Sequence, residues 1–506
     1  MNPAINPGVD AAIESQVQAK TPEWVKDAVF YQIFPDRFAK SNGVPKPSNL
    51  ESWDSPPTTD GYKGGDLLGI AENIDYLSSL GINALYLNPI FQSASNHRYH
   101  THDYFQVDPI LGGNQALRKL IDVAHTRGIR VVLDGVFNHC SRGFYQFNQA
   151  LEAGPASPYL DWFKFKGFPV QAYGPQSPNY EAWWDLPALP KFDTDVPAVR
   201  EFLWSVGRHW LEFGIDGWRL DVPEEINDDA FWREFRRQVK QVNPEAYICG
   251  EIWKDARRWL RGDQFDSVMN YLFTRSCLAF FVQNLDYSTV AGTGYSGITG
   301  GANAADFGAS IDQLLKLYPE QITLAQLNLL DSHDTARFIS SARQDETALR
   351  LATLFQMTYP GAPSVYYGDE IGMLGGKDPD CRRAFPWDEK KWNTDLLAYF
   401  KKTIALRHRF AALRRGEYTS LYAAGSLYVF GRKDAQDRLV VALNTGNTPI
   451  EMPAINNSIY LDEGDLLLDL FSGSNQAYRI GPVGRVEGFS LPARCGTVLQ
   501  VLNIEN

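Results

Sequence analysis

An arginine and an aspartate interrupt an apolar run near the middle of the chain. In GWRLDVPEE, residues 217–225, Arg219 and Asp221 stand two positions apart. In a strand they share one face, while Trp218 and Leu220 share the other. An unpaired buried charge is expensive, and an ion pair within one strand would explain these two residues without any function. The pattern recurs, however, because other apolar runs in the chain also end on charged residues.

Three further runs carry groups that can act as acids or bases. Asp134 and His139 flank the end of VVLDGVFNH, Glu251 follows AYICG, and Asp334 closes LLDSHD beside His333. Each alone fits a helix cap or a structural ion pair, but together they indicate a site. Clustered carboxylates bind a metal ion or cleave a glycosidic bond, in which one carboxylate attacks or activates water and the other protonates the leaving oxygen. For glycoside chemistry we expect a neighbouring arginine to lower the pKa of the nucleophile.

A catalytic metal ion is the less favoured use of these carboxylates. His100 and His102, in the segment HTH, are similar to the paired histidines of metal-dependent barrel hydrolases. Those sites need further histidines at later strand ends, and GEIW and FDSVMN offer none. We therefore predict glycoside chemistry without a catalytic metal. The sequence spacing leaves open whether the anomeric configuration is retained or inverted.

Eight short apolar runs are candidates for the strands that position these groups. Helical-period stretches separate most of them, for example Asn114 to Arg127 and Pro197 to Phe213, where Gly214 marks a helix end. Buried strands that alternate with helices indicate a parallel sheet. Eight such units predict a (β/α)8 barrel with its site at the carboxyl ends of the strands. An open doubly wound sheet is the alternative, but no Gly-rich phosphate loop follows the first strand. The runs are AVFYQIF, INALYLNPI, IRVVLDGVF, GIDGWRLDV, AYICGEIW, FDSVMNY, LAQLNLL and SVYYGDEI.

Two stretches break the alternation of strands and helices. The first, rich in Pro, Gly and aromatic residues, has no clear period, and loops of that length are usually functional or separate subdomains. After about Arg415, short alternating runs such as SLYVFGR and RLVVALN predict an antiparallel β-sandwich. The expected division is an N-terminal arm (1–27), a barrel (28–138 and 192–415), a domain inserted after the third strand (139–191) and a C-terminal β-sandwich (416–506).

Composition limits the partners and the compartment. The 506 residues carry a net charge of −12, which argues against a nucleic-acid partner because phosphates require a basic face. No apolar stretch approaches the roughly 18 residues of a membrane span. Five scattered cysteines suggest no disulfide framework and favour a reducing compartment. The N-terminus lacks the basic start and apolar stretch of a secretory signal, so we expect a cytoplasmic protein.

The motifs resemble the α-amylase family of glycoside hydrolases. DGVFNH, GWRLDV, GEIW and LLDSHD occur in the order and spacing of its four signature regions, and GGDLLGI and GAPSVYYGDEIGM are similar to two further regions. The resemblance covers the chain from about Ala28 to its end. It implies a barrel, a loop domain after the third strand and a C-terminal sandwich.

The resemblance also implies a role for each site residue. Asp221 would be the nucleophile of a covalent glycosyl-enzyme, Glu251 the general acid/base, and Asp334 would hold the distorted sugar through its hydroxyls. The family usually has Asp after the stacking tyrosine where this chain has His100, whose role is left open. The implied substrate-binding residues are Arg219, which orients and tunes Asp221, His139 and His333, which hydrogen-bond the sugar, and Tyr99, on which the sugar stacks.

A narrower resemblance concerns the segments GEIWKDARRWLRGDQFDSVMNY and WWDLPALPKFDTD. They are similar to neopullulanases, cyclomaltodextrinases and maltogenic amylases, which cleave α-1,4 bonds in maltooligosaccharides and cyclodextrins and often α-1,6 bonds in pullulan or branched sugars. The subgroup usually has Asn-Glu where this chain has Glu224-Glu225, and it often has His where this chain has Lys254. Both should border the leaving-group side, where we expect Glu224 and Trp253 to bind substrate.

The subgroup usually carries an N-terminal β-domain that walls one side of the cleft, and little chain precedes Ala28 here. The cleft would then be bounded by aromatic residues of the inserted domain, with Trp183, Trp184 and Phe192 as candidates. A groove open on one side should admit a branch point. We therefore expect a retaining hydrolase of maltooligosaccharides, cyclodextrins, pullulan or branched glucans with α-1,6 debranching activity.

Alternatives and cofactors complete the expectations. A transglycosylase or isomerase on the same fold shares the covalent intermediate, whereas a non-catalytic, transporter-associated barrel protein would lose the carboxylates and carry a membrane span.

Family members often bind calcium near the asparagine of VFNH, here Asn138, or in a loop after the first strand. The segment AKSNGVPKPSN is poor in acidic ligands, so calcium is left open but not expected, and we expect Asn138 to brace the inserted domain. No other cofactor is implied, and a homodimer is left open.

Overall fold

Eight parallel strands form the centre of the computed structural model, which describes residues 20–174, 176–455, 460–472 and 476–503. In the sheet, β1 lies between β2 and β8; pairing runs from β2 through β3, β4 and β5 to β6 on one side, and from β8 to β7 on the other. The strands are β1 (Phe30–Ile33), β2 (Ala84–Leu87), β3 (Arg130–Gly135), β4 (Gly217–Leu220), β5 (Tyr247–Gly250), β6 (Ser267–Val268), β7 (Leu327–Leu329) and β8 (Ala362–Tyr366).

The sheet closes on itself between β6 and β7. A parallel bridge joins Met269, just after β6, to Leu327, and the N–H of Asn270 donates to the carbonyl of Leu327 at 2.8 Å. The Asn270 side chain adds a hydrogen bond of 2.8 Å to Asn328. The predicted (β/α)8 barrel is thereby confirmed, with the β6–β7 seam as its shortest pairing.

Helices follow most strands and bury their apolar stripes against the barrel. Helix α5 shows why the sequence specifies one: Val199, Leu203, Val206 and Trp210 recur at helical spacing on its buried face, and Gly214 ends it at φ 113°. The described helices of five or more residues are α1 (Leu67–Glu72), α2 (Ile74–Leu80), α3 (Gly113–Thr126), α4 (Tyr145–Ala153), α5 (Pro197–Phe213), α6 (Asp229–Val242), α7 (Tyr271–Phe281), α8 (Ala304–Leu317), α9 (Glu346–Thr358), α10 (Thr394–Arg409) and α11 (Ala411–Arg415). Four-residue helices are Glu23–Lys26, Pro35–Phe38, Tyr287–Val290, Glu320–Thr323 and Phe338–Ser341.

Two excursions leave the carboxyl end of the barrel. After β2, the strands Phe91–Ser93 and Thr101–Val107 pair antiparallel. After β3, the chain runs out through α4 and returns to α5, and an antiparallel bridge between His139 and Lys191 joins its two ends. This bridge between the two ends supports the predicted inserted domain at residues 139–191, whose bounds stay a prediction.

The loop after β1 is fastened by a buried lysine. The Lys63 ammonium donates to the carbonyl oxygens of Ser52 and Ser55 at 2.6 and 2.8 Å. It also lies 3.1 Å from the carboxylate of Glu51, and its side chain is fully buried. A positive charge enclosed by carbonyl and carboxylate oxygens is satisfied on several sides at once.

The C-terminal part is antiparallel, as predicted. Its strands are β9 (Glu417–Ala424), β10 (Leu427–Lys433), β11 (Arg438–Asn444), β12 (Leu466–Asp469), β13 (Ala477–Arg479) and β14 (Cys495–Leu502), in the order β9–β10–β11–β14–β12–β13. Alternate residues face opposite ways: Tyr428 and Phe430 join the core of the barrel, whereas Val429 joins a small separate core. A two-stranded sheet, Ile450–Glu451 with Ser490–Leu491, contributes Leu491 to that second core, so the second layer of the expected sandwich is short.

None of the helices in the described part of the chain combines the length and apolar composition that a bilayer crossing requires.

Candidate active site

One guanidinium group joins three carboxylates at the carboxyl end of the barrel. Arg219 Nη1 lies 2.9 Å from Asp134 Oδ1 and 3.1 Å from Asp221 Oδ1, and Nη2 lies 2.9 Å from Glu251 Oε2. Asp134 and Arg219 are register partners on β3 and β4. Asp221 and Glu251 each follow their strand by one residue and extend its ladder, with N–H donation to Gly135 and Leu220 at 3.0 and 2.9 Å. The parallel sheet therefore sets all four groups side by side.

A backbone turn directly after Asp221 orients Glu251. Val222 has φ 36° and ψ 50°, a left-handed conformation that β-branched residues rarely adopt. Its N–H donates to Glu251 Oε2 at 3.2 Å. The indole N–H of Trp253 donates to the other oxygen, Oε1, at 3.2 Å, and Trp253 itself stacks on Tyr271 with a centroid distance of 3.6 Å. Both oxygens of Glu251 are thus held by fixed donors.

Tyr99 and His333 form a flat, hydrogen-bonded wall. Their rings stack with centroids 5.7 Å apart and 7° between planes. Gln32 Nε2, a donor, lies 2.8 Å from His333 Nδ1, which assigns the imidazole proton to Nε2. That nitrogen lies 2.6 Å from the Tyr99 hydroxyl, and the hydroxyl donates to Asp134 Oδ2 at 3.0 Å. Burial lowers the pKa of His333 well below its usual value, so the ring acts as a neutral donor.

Asp334 stands at the more open edge of the cluster. Its side chain is 29% exposed, and its oxygens lie 3.1 Å from His333 Nε2 and 3.4 Å from Arg382 Nη2. Burial, together with the charge of Glu251, raises the pKa of Asp334 to about 7, against the opposing effect of Arg382. Arg382 is itself fixed by donation from Nε to the carbonyl of His333 at 2.9 Å.

The proton affinity of Asp221 differs from the expectation. Burial raises the pKa of Asp221 well above its usual value, the charge of Glu251 raises it further, and Arg219 only partly offsets both. Arg219 lowers the pKa as expected, but burial outweighs it.

His139 presents an unpaired nitrogen from beneath the inserted segment. It is buried, its Nδ1 lies 3.2 Å from Asn138 Nδ2, and its Nε2 has no hydrogen-bond partner among the described residues. Burial lowers the pKa of His139 to about 3, so the ring is neutral. A buried nitrogen without a partner calls for one, and a sugar hydroxyl would supply it. Asn138 bonds the inserted segment through its backbone carbonyl, which accepts from Phe192 N at 3.1 Å.

The two departures from the subgroup pattern contact each other. Lys254 Nζ lies 2.7 Å from Glu224 Oε2, and both side chains are partly exposed. Glu224 belongs to the 3₁₀ turn Pro223–Glu225, directly after the strained Val222. Lys254 follows Trp253, which donates to Glu251. The ion pair therefore lies on the Glu251 side of the cluster.

Several sequence candidates lie elsewhere. His100 packs on His97 with a centroid distance of 4.9 Å, and burial lowers the pKa of His100 to about 4. Phe192 is buried against Phe144 and Phe163, so the expectation that it walls the cleft is wrong. In the described ranges, no group of three or more His, Cys, Asp or Glu is arranged to hold a metal ion.

Some residues of the cluster were not among the predicted site residues. Asp134 was singled out only as a charge at a strand end, although its register with Arg219 places both its oxygens within hydrogen-bond distance of Nη1. Gln32 carries a usable signal, since it is a polar residue in the buried strand β1. The sequence gives no signal for Arg382, because no pattern in the loop after β8 predicts that its side chain reaches Asp334.

The described geometry agrees with comparisons to known proteins. A family model described as the alpha amylase catalytic domain matches residues 32–402. The chain is 47% identical to neopullulanase 2 of Thermoactinomyces vulgaris over 87% of this chain and 74% of that protein. It is 43% identical to a cyclomaltodextrinase of Geobacillus thermopakistaniensis over 90% of this chain and 75% of that one. A solved debranching enzyme from Nostoc punctiforme superposes with a TM-score of 0.85 at 48% identity, covering 95% of this chain and 99% of that one.

Proposed function

This chain belongs to the α-amylase family of retaining glycoside hydrolases, and we propose that Asp221 and Glu251 carry its double displacement. The observation that supports these roles is the Arg219 guanidinium, which fixes both carboxylates at one barrel mouth. In the first step Asp221 attacks the anomeric carbon, and Glu251 gives its proton to the leaving oxygen. In the second step Glu251 takes a proton from water, whose oxygen displaces the Asp221 ester.

The remaining side chains bind the sugar in this proposal. Tyr99 offers its ring face, His139 Nε2 hydrogen-bonds the sugar, and His333 acts beside it through the Tyr99 hydroxyl and Asp334 that its Nε2 contacts. Asp334, at the open edge, accepts hydroxyl donors and favours the distorted ring. The reaction uses only these side chains and water, so it requires no cofactor. All three predicted acids are present, which sets the chain apart from the transporter-associated alternative.

The finer proposal concerns the bond that is cleaved. We propose that the chain acts on α-1,4 and α-1,6 glucosidic bonds in maltooligosaccharides, cyclodextrins, pullulan and branched glucans. Support comes from the similarity to a neopullulanase, a cyclomaltodextrinase and a debranching enzyme. The Glu224–Lys254 pair adds an acceptor and a donor beside the proton-donating Glu251, where hydroxyls of the leaving sugar must lie.

A comparison of kcat/KM tests the linkage. The substrates are a maltooligosyl-branched cyclodextrin and linear maltooligosaccharides of similar size, with chromatography of the products. We expect cleavage of both, with real release of the branch. If the branched substrate is cut only at α-1,4 bonds and pullulan yields no α-1,6 cleavage, the debranching part is wrong. With maltotriose, shorter products indicate hydrolysis, whereas longer or isomeric products would favour the transglycosylase or isomerase alternative.

The compartment and the assembly also stay proposals. All five cysteines are free thiols, four of them buried, which supports a reducing compartment such as the cytoplasm. A homodimer is tested by sedimentation of the purified chain.

A further inference from the structure

We propose that Trp184, at the tip of the inserted segment, is a second stacking platform for the α-glucan chain, separate from the sugar that reacts. The proposal rests on the proposed function and adds a distal subsite to it. Trp184 is 75% exposed, more than any other large hydrophobic side chain of the described residues. An exposed indole offers a large flat apolar face that a ligand can cover.

Three stacked rings connect this platform to the reaction centre. His139 stacks on Trp183 with centroids 5.3 Å apart and 11° between planes. Trp183 stacks on Trp184 with centroids 4.4 Å apart and 16° between planes. The inner ring carries the unpaired Nε2 of the site, and the outer ring faces solvent. The platform is therefore continuous with the cleft and not an isolated surface residue.

The backbone holds Trp184 in a conformation that stability alone would not select. Trp184 has φ 52° and Asp185 has φ 55°, and Leu186 N donates to the carbonyl of Trp183 at 3.0 Å. Two consecutive left-handed residues inside such a hydrogen bond form a type I′ turn, which favours Asn, Asp or Gly at both positions. A tryptophan in the first position is strained, and strain of this kind is found where a side chain has a function.

Both flanks of the turn are fixed. Ala182 forms an antiparallel bridge with Pro190, Trp183 N donates to the carbonyl of Leu189 at 2.9 Å, and the Tyr180 hydroxyl donates to the carbonyl of Pro187 at 2.6 Å. The indole is thus presented on a short, braced hairpin. A prepared surface of this kind loses little conformational entropy on binding.

The chemistry of the platform selects a neutral sugar. A pyranose ring has a flat face of C–H groups that covers an indole and removes apolar surface from water. Glu181 and Asp185, both exposed beside the platform, repel anionic ligands and accept hydroxyl donors. The occupant is a glucosyl unit of the glucan whose reacting sugar lies at His139. The stacked rings run from His139 to Trp184, so one glucan can contact both residues.

Substrate length separates this role from a purely structural one. We expect Trp184→Ala to lower kcat/KM for maltoheptaose about tenfold more than for maltotriose, a scale set by loss of one aromatic contact. The loss should lie in KM and leave kcat for maltoheptaose little changed, because the contact is the same in ground and transition states. Trp184→Phe, which keeps a flat ring, should recover most of the affinity.

Two further variants serve as controls. Trp184→Asn suits the first position of the turn, so we expect it to keep or raise the apparent Tm while it loses affinity for maltoheptaose as the alanine variant does. Tyr145→Ala removes another exposed aromatic ring of the inserted segment, and it should leave the length preference unchanged. Calorimetric titration of maltoheptaose into Glu251→Gln and Glu251→Gln/Trp184→Asn reads binding without turnover, and we expect a Kd about tenfold higher in the double variant.

Each contrary result overturns the proposal. An equal loss for both substrates would mean that Trp184 acts only by supporting His139. Unchanged kinetics and binding would mean that the indole meets no sugar. A change of sedimentation coefficient in Trp184→Asn, with unchanged sugar binding, would identify a contact between copies of the chain. If the unmodified chain cleaves no α-glucan of any length, the proposed function itself fails, whatever the Trp184 variants do.

Discussion

At the scale of single residues, Arg219 sets the electrostatics of the cluster. One buried cation faces Asp134, Asp221 and Glu251, so the negative charge is only partly compensated. The proposed double displacement needs one carboxyl group to be ionised while its neighbour carries a proton. The charge count of the cluster therefore already supports acid–base chemistry.

The two central acids give the first prediction. We expect Asp221→Asn and Glu251→Gln each to lower hydrolysis by at least about 10²- to 10⁴-fold, because each removes a group that we propose as the nucleophile or the proton donor. Both replacements keep the side-chain volume, so near-ultraviolet circular dichroism should stay unchanged. A folded Asp221→Asn variant with turnover near that of the unmodified chain would refute the assignment. Azide should restore activity to Glu251→Ala on a substrate with a good leaving group, since transfer to azide needs no general base.

Asp334 gives a prediction about pH. Its pKa is raised from 3.8 to about 7 by burial and by Glu251. Between these values the folded chain binds more protons than the unfolded chain, so ionisation of Asp334 lowers the free energy of unfolding as the pH rises. Asp334→Asn cannot ionise. We therefore expect its apparent Tm, relative to the unmodified chain, to increase from pH 4 to pH 8, with the effect reduced by the partial exposure of the group.

A matched control isolates this effect. Asp122→Asn, at an exposed position of α3 outside the cluster, serves as the matched Asp→Asn control. A Tm difference for Asp334→Asn that stays constant from pH 4 to pH 8, or that varies no more than the control's, would contradict the prediction.

At the scale of elements, Lys63 stabilises the loop after β1. Lys63→Met keeps the length of the side chain but removes the donor of the Ser55 carbonyl. It also removes the cation beside the Ser52 carbonyl and the Glu51 carboxylate, which keep the hydroxyl donors of Ser55 and Thr58. A buried acceptor left unpaired costs about 1 to 3 kcal/mol, so we expect a clear fall of the apparent Tm in calorimetry. Lys119→Met, at an exposed position of α3, should change it little. Equal Tm values for both variants would show that the loop does not depend on the ammonium.

The strands were predictable because their signal is local. All eight runs hold a barrel strand, since continuous burial forces continuous apolar sequence. Their ends were less clear. β8 begins at Ala362 and includes Pro363, paired in register with Asn328, although proline normally argues against a central strand. β6 keeps only Ser267–Val268 of its run, because the segment that follows turns into α7.

The site was predictable where a strand end supplies the residue. Asp221, Glu251 and Arg219 follow from that rule, and the structure brings them within contact of one another. Arg382 and Tyr271 do not, since each reaches the cluster through a loop or helix whose path depends on tertiary packing. The Glu224–Lys254 contact was equally hidden: both residues were noted as departures, but the sequence does not show that they meet.

At the scale of the whole molecule, the barrel and the C-terminal sheet share one core. Phe307 of α8 lies 5.1 Å from Tyr428, and Phe355 of α9 lies 5.6 Å from Phe430, between ring centroids. These rings are covered by the barrel helices on one side and by the C-terminal sheet on the other. The division into domains therefore describes the path of the chain, whereas these two parts have a common interior.

Chelation tests the molecule as a whole. The described residues offer no cluster of metal ligands, and the loop after β1 encloses the Lys63 ammonium in its oxygen cage. We expect activity and Tm to be unchanged after dialysis against EDTA. A ligand that binds only the folded state stabilises it by mass action, so a large fall in Tm that Ca²⁺ reverses would reveal a structural calcium ion.

The β6–β7 seam has a consequence for how the enzyme loses activity on heating. A single bridge closes the barrel there, and local opening is easiest where few backbone bonds are broken. Met269, on that bridge, also holds Arg219, whose Nε lies 3.3 Å from its sulfur. A fluctuation that parts the seam therefore removes the Met269 sulfur from Arg219 Nε, while the strands that carry the carboxylates stay paired. We expect the Asn270 amide to exchange with deuterium earlier than the amides of β2. Reversible inactivation should then set in below the temperature of cooperative melting, as an event confined to one edge of the barrel.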